Sequence, residues 1–292
     1  MCSSDLRSAA AATSRATQRC TSAKRPTRLL ATWTVASDRV GRFALAHRCV
    51  ARDVAAAADR VYAATPEGVL ATDAAWSDAG AAGERAAPDR AEFESLGFPD
   101  AVAVTISDGA VLAADADGTV ARHRDDAWEA VGAVEEVRAL SNDLVAASDG
   151  VYRPVGGDLR NVGLDAVRDV AGTGVPLAAT DDGLYRLGNG WLSEREGTFA
   201  VVGAGIVDGG PEKRAHAATA ETLYARDGDE WTAVDLPVEG AVADVAYGEC
   251  VYTVTEDGTF LVEADPERTA DGTGGWRHRS LGLPEVAALA VV

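Results

Sequence analysis

Lysine is almost missing from this chain. Of 27 basic residues only Lys24 and Lys213 are lysine, and they face 46 Asp and Glu for a net charge of −19. Residues 1–28 hold six of the basic residues and one acid, so the remainder carries 21 basic against 45 acidic residues, or −24. Such a body repels nucleic-acid phosphates and anionic lipid heads, and neither is an expected partner. Long apolar runs are also lacking: the longest, FAVVGAGIV at 199–207, has nine residues, against the roughly 20 of a membrane-spanning helix. No apolar signal core follows the basic start, so a soluble cytoplasmic monomer is expected. The four cysteines, at 2, 20, 49 and 250, form no CxxC pair. That argues against zinc and against a disulfide framework, and leaves free thiols.

Catalytic signatures are equally scarce. Neither lysine follows a glycine, which removes the phosphate-binding loop, and no HExxH or GxSxG occurs. Gly203 and Gly205 suggest a dinucleotide loop only superficially, because Asp208 stands at the third glycine and GGPEKR does not start a helix; an inner strand is the better account. The histidines at 47, 123, 216 and 278 have no metal-ligand spacing. His216 takes the place of Tyr, Leu or Val elsewhere in a repeat and is expected in the core.

What the chain has in quantity is that repeat. LAATDDGLYRLGNGW at 177–191 returns as HAATAETLYARDGDEW at 216–231, and weaker copies begin at Tyr62, Leu112, Val145 and Tyr252. The six anchors are 50, 33, 32, 39 and 36 residues apart, which is the period of propeller blades. Each copy sets two short apolar runs around an acidic turn, with Glu67-Gly68, Asp117-Gly118, Asp149-Gly150, Asp182-Gly183 and Asp257-Gly258 supplying the hairpin glycine and Glu221-Thr222 departing. A further run precedes most copies. Trp76, Trp128, Trp191, Trp231 and Trp276 close a fourth, with Leu159 in the third copy. The unit reads as a four-stranded antiparallel meander, with Ala on inner strands and Trp filling the wider outer gap.

The expected fold is therefore all-β, a single seven-bladed propeller over residues 29–292. The seventh blade would join the strand in EVAALAVV, at 285–292, to LLATWTVASDRVGRF, at 29–43, and so remove exposed edges. Six blades are the alternative. Residues 1–28, which open MCSSDL and share nothing with the acidic body, are set apart as a non-native or disordered segment.

From Val40 to Val292 this blade text resembles an uncharacterised family of haloarchaeal β-propellers and, more distantly, Asp-box propellers. The Asp-box pattern itself, Ser-x-Asp-x-Gly-x-x-Trp, is met in no copy. The resemblance implies a fold and a high-salt cytoplasm but no activity.

One constellation carries possible chemistry. Asp53, Glu136, Asp169, Asp244 and Glu285 precede inner strands and are expected to ring one mouth of the central channel, with Arg52 and Arg168 beside two of them. Clustered carboxylates attract hard cations, so Ca²⁺ or Mg²⁺ is the conceivable cofactor and none is otherwise implied. The leading expectation is a non-enzymatic scaffold binding a protein or small ligand. The alternative is a hydrolase or lyase using a divalent cation at the acidic mouth, with the arginines holding an anionic substrate.

Overall fold

The computed structural model describes residues 8–16, 27–36, 39–57, 60–72, 92–207, 213–264, 275–283 and 285–291. Trp76, most of the polar excursion after it, and Asp208 lie outside them.

Six blades follow one another along the chain. Their inner strands are Asp53–Ala57, Ala101–Ser107, Val137–Ser141, Val167–Ala171, Val201–Ile206 and Val242–Tyr247, and each leads an antiparallel meander of four strands. The six sequence anchors all fall on second strands, Arg60–Thr65, Ala110–Asp115, Leu144–Ala147, Leu177–Thr180, Lys213–Ala218 and Val251–Thr255. One anchor therefore marks one blade.

The expectation of a seven-bladed propeller is corrected by this count: the propeller is six-bladed, as the alternative had it, and no seventh copy of the unit occurs among the described residues. A composite sheet stands between the last blade and the first, in the order Leu289–Val291, Ser8–Ala16, Thr27–Ala36, Arg39–Arg48. Its innermost strand has three residues and its others nine or ten, whereas strands within the six blades have four to seven. Nor does the C-terminal strand pair with residues 29–43. Ala12 and Ala10 stand opposite Leu289 and Val291, and Thr27–Ala36 pairs on the far side. A strand from the segment set apart in the sequence thus sits between the two pieces expected to meet.

The core is a ring of interfaces rather than one centre. Leu112 and Val120 of blade two pack on Leu140 and Val145 of blade three. Leu144 and Val151 meet Val167 and Val170 next, and Leu177 and Leu184 meet Phe199 and Val202 after that. Burying each such side chain stabilises the fold by ~1.5–3 kcal/mol. The composite sheet takes part too: Leu289 lies with Tyr252 and Phe260 on one side, and Leu30 and Ala290 lie with Val54 and Val61 on the other.

The turn glycines do more than close hairpins. Gly118 has φ 87, and a Cβ there would lie 1.8 Å from the Val134 carbonyl oxygen. Gly258 has φ 84, and its Cβ would lie 1.9 Å from Leu283 O. Each turn is pressed against the chain entering the next sheet, which the backbone bonds Val134 N–H to Gly118 O and Leu281 N–H to Gly258 O confirm. Only glycine permits both that φ and that approach. On the outer strands the tryptophans lock neighbours together: Trp128 Nε1 donates to Leu96 O at 2.7 Å and Trp191 Nε1 to Val162 O at 2.9 Å.

Candidate ligand site in the central channel

Neighbouring inner strands share no backbone ladder across the channel wall, so side chains must satisfy what the ladders leave open. Asp53 accepts from its neighbour Val54 N–H at 2.8 Å and from Val104 N–H of the next blade at 2.8 Å. Asp169 does the same with Val170 and Val202, both at 2.8 Å. Asp244 joins Val245 at 2.7 Å to Leu289 of the closing strand at 2.7 Å. Three carboxylates are therefore clamps between sheets.

Junctions without an aspartate use another group further along the strand. Thr105 Oγ1 accepts from Asn142 N–H at 3.0 Å, and Ser141 Oγ accepts from Gly172 N–H at 3.0 Å. Between blades five and six the Tyr247 hydroxyl donates to Gly203 O at 3.0 Å and accepts from His216 Nδ1 at 2.9 Å. The glycines of that strand are explained by the tyrosine: a Cβ on Gly205 would lie 2.4 Å from Tyr247 Cγ. Val201–Ile206 is thus the inner strand expected, and His216 is a core residue at 1% exposure. Burial first, and Arg214 second, push its pKa down to about 3, so the ring is neutral.

The ladder registers explain which acids reach the channel. The extra residue of a bulge is 102, 138, 168 or 243 in blades two, three, four and six, and the aspartate position follows it. That position holds Ala103, Ala139, Asp169 and Asp244, with Asp53 in blade one. Glu136 lies three residues before Ala139. Glu285 likewise lies three before Ala288, the residue preceding the clamped Leu289. Both glutamates are exposed turn residues with positive φ, 45 and 55, and neither lines the channel. The five-acid ring is thereby reduced to three aspartates on separate junctions. Among the described residues no three His, Cys, Asp or Glu side chains converge as a metal ion would need.

The three clamps are half-buried in the channel wall. Desolvation is the main cause that pushes Asp53 up to about 7 and Asp169 up to about 6, against the lowering effect of their backbone bonds. Asp244 is held well above the ordinary carboxylate range by burial, with Asp169 and Asp53 adding repulsion.

The channel has a volume of about 630 Å³ and is lined by every inner strand, the closing one included. Its wall is mostly Ala, Val and Gly. At the end where the inner strands begin, Arg52, Arg138 and Arg168 line it. Arg52 donates to Asp100 O at 3.2 Å and Ala101 O at 3.1 Å, and Arg138 to Val167 O at 3.2 Å. Arg138 also approaches Glu136 at 3.6 Å, and Arg168 pairs with Asp181.

A family model described as Beta-prop_HVO_0234-like, beta propeller, matches residues 30–292. The chain belongs to this β-propeller family. Among solved structures, the computationally designed Ika8 protein is similar at TM-score 0.54 and 16% identity, over 96% of this chain and 90% of that one. Sqt1 of Saccharomyces cerevisiae is similar at 0.53 and 10%, over 82% and 77%. The extracellular domain of the putative one component system BT4673 from B. thetaiotaomicron reaches 0.56 at 10%, over 94% of this chain and 47% of that one. At these identities the likeness is one of fold. No curated protein matches the chain.

Arg52 and Arg168, expected beside two of the acids, both line the channel. Arg138 was missed with its bulge, although RDV at 52–54 and 168–170 against RAL at 138–140 carries the signal. Of the cysteines within the described residues, Cys49 and Cys250 form no disulfide, and burial pushes the Cys49 thiol up to about 11. Among the described residues no helix is long and apolar enough to cross a membrane.

Proposed function

We propose that the protein is a non-enzymatic scaffold of a halophilic archaeal cytoplasm that holds a small ligand in its central channel. The observation that carries this reading is the division of labour in the wall. The channel is within the size range of small-molecule sites, yet its aspartates use both oxygens to hold sheets together. Oxygens already engaged by two backbone N–H donors are committed to joining sheets. The hydrolase or lyase reading needs acids that share one cation, and the clamps serve different junctions. Monomeric behaviour fits a ring whose sheets already cover one another's faces.

The test is native mass spectrometry of protein purified in high salt, beside an Ala139→Phe variant that fills the channel and whose folding is verified by circular dichroism. A small molecule retained by the native chain and lost from the variant supports the scaffold. Equal retention by both refutes it.

A further inference from the structure

Asp53, Asp169 and Asp244 line the channel just inside its mouth, and the mouth itself carries groups of the opposite charge type, Arg52, Arg138 and Arg168. Arg52, Arg138 and Arg168 occupy one structural position, directly before Asp53, Ala139 and Asp169, in blades one, three and four. Val102 and Ala243 hold it in blades two and six. In a chain with a net charge of −19, three arginines line one end of one channel.

They are also anchored. One nitrogen of Arg52 rests on two carbonyls of the next blade and one of Arg138 on Val167 O, which fixes each guanidinium and leaves most of its five donors for a partner. The acids paired with two of them are exchangeable: Glu136 is 66% and Asp181 49% exposed, and ion pairs that open to water contribute little. A guanidinium fork matches a carboxylate or phosphate edge better than any other chemistry.

We propose that the arginine mouth binds the charged end of a small organic anion, a carboxylate or a phosphate ester, whose uncharged part lies against the Ala and Gly wall. This rests on the scaffold reading and adds the ligand's class. The deeper carboxyls set its polarity: the anionic head stays at the mouth, and the part that passes Asp53 and Asp169 carries no negative charge.

Isothermal titration at constant high ionic strength tests this with citrate, inorganic phosphate and glycerol as probes. The proteins are the native chain, Arg52→Gln/Arg168→Gln, and Arg124→Gln as an exposed control away from the mouth. Circular dichroism verifies that each is folded. One-to-one binding of citrate or phosphate is expected, weakened by at least about tenfold in the double variant, unchanged in Arg124→Gln, and absent for glycerol. Preference between citrate and phosphate assigns the head group. No saturable binding of either anion overturns the proposal, and so does equal binding by the double variant. The channel-filling variant separates the two ideas: a retained molecule lost in Ala139→Phe but kept in the double arginine variant overturns the anion while sparing the scaffold.

Discussion

Replacing Asp169 by Asn tests the clamp and its electrostatics together. Asn keeps the shape and one acceptor but presents an amide to the second backbone N–H. One of the bonds to Val170 and Val202 is therefore lost, at ~1–3 kcal/mol for a buried unsatisfied donor. The aspartate carries its own penalty when ionised. Its pKa stands at about 6 in the folded protein against an ordinary 3.8, so the folded state holds the proton more tightly. That contribution to stability is complete below about pH 4 and is lost as pH rises through about 6. The rise corresponds to ~3 kcal/mol. The variant has no such proton. Its deficit relative to the native chain is expected to be largest near pH 4 and to shrink by ~3 kcal/mol by about pH 7, leaving the variant as stable as the native chain or more stable. Urea titrations in high salt across that range measure the gap directly. A gap that stays constant, or widens with pH, refutes the reasoning that burial raises this carboxyl.

Three further outcomes are expected. Asp244→Ala frees Leu289 N–H, so hydrogen exchange at Leu289–Val291 should accelerate more than exchange within Leu177–Thr180; equal protection would remove Asp244 as the latch of the closing strand. Gly118→Ala, with a Cβ 1.8 Å from Val134 O at φ 87, should destabilise by more than the ~1 kcal/mol of an ordinary backbone effect, and an unchanged melting temperature would contradict the close approach. With −19 overall, folding should weaken on dilution from molar salt, where screening acts within about 3 Å, to 0.1 M, where it reaches about 10 Å; circular dichroism that stays constant on dilution would count against a high-salt setting.

The sequence by itself determined the repeating unit. Small residues, an acidic Gly turn and a closing Trp specify a four-stranded meander through local rules: alternation, turn chemistry and side-chain size. The six anchors mark one blade each, and the expected count of seven failed because the two chain ends were added to them as a further blade. The sequence did not reveal how the ring closes, because strand pairing between Leu289–Val291 and Ser8–Ala16 joins segments more than 270 residues apart, and no local pattern marks such a partner. The site divides along the same line. Asp53, Asp169 and Asp244 share a legible context, each following Arg or Ala and preceding Val. Glu136 and Glu285 match them in charge but not in register. Only the tertiary structure decided that a bulge places Ala139 at that position, that Ala288 directly precedes the clamped Leu289, that the remaining carboxylates hold sheets together, and that Arg138 completes the mouth. A one-residue bulge changes which side chain meets the channel, and its position is set by the pairing of whole strands rather than by the residues within it.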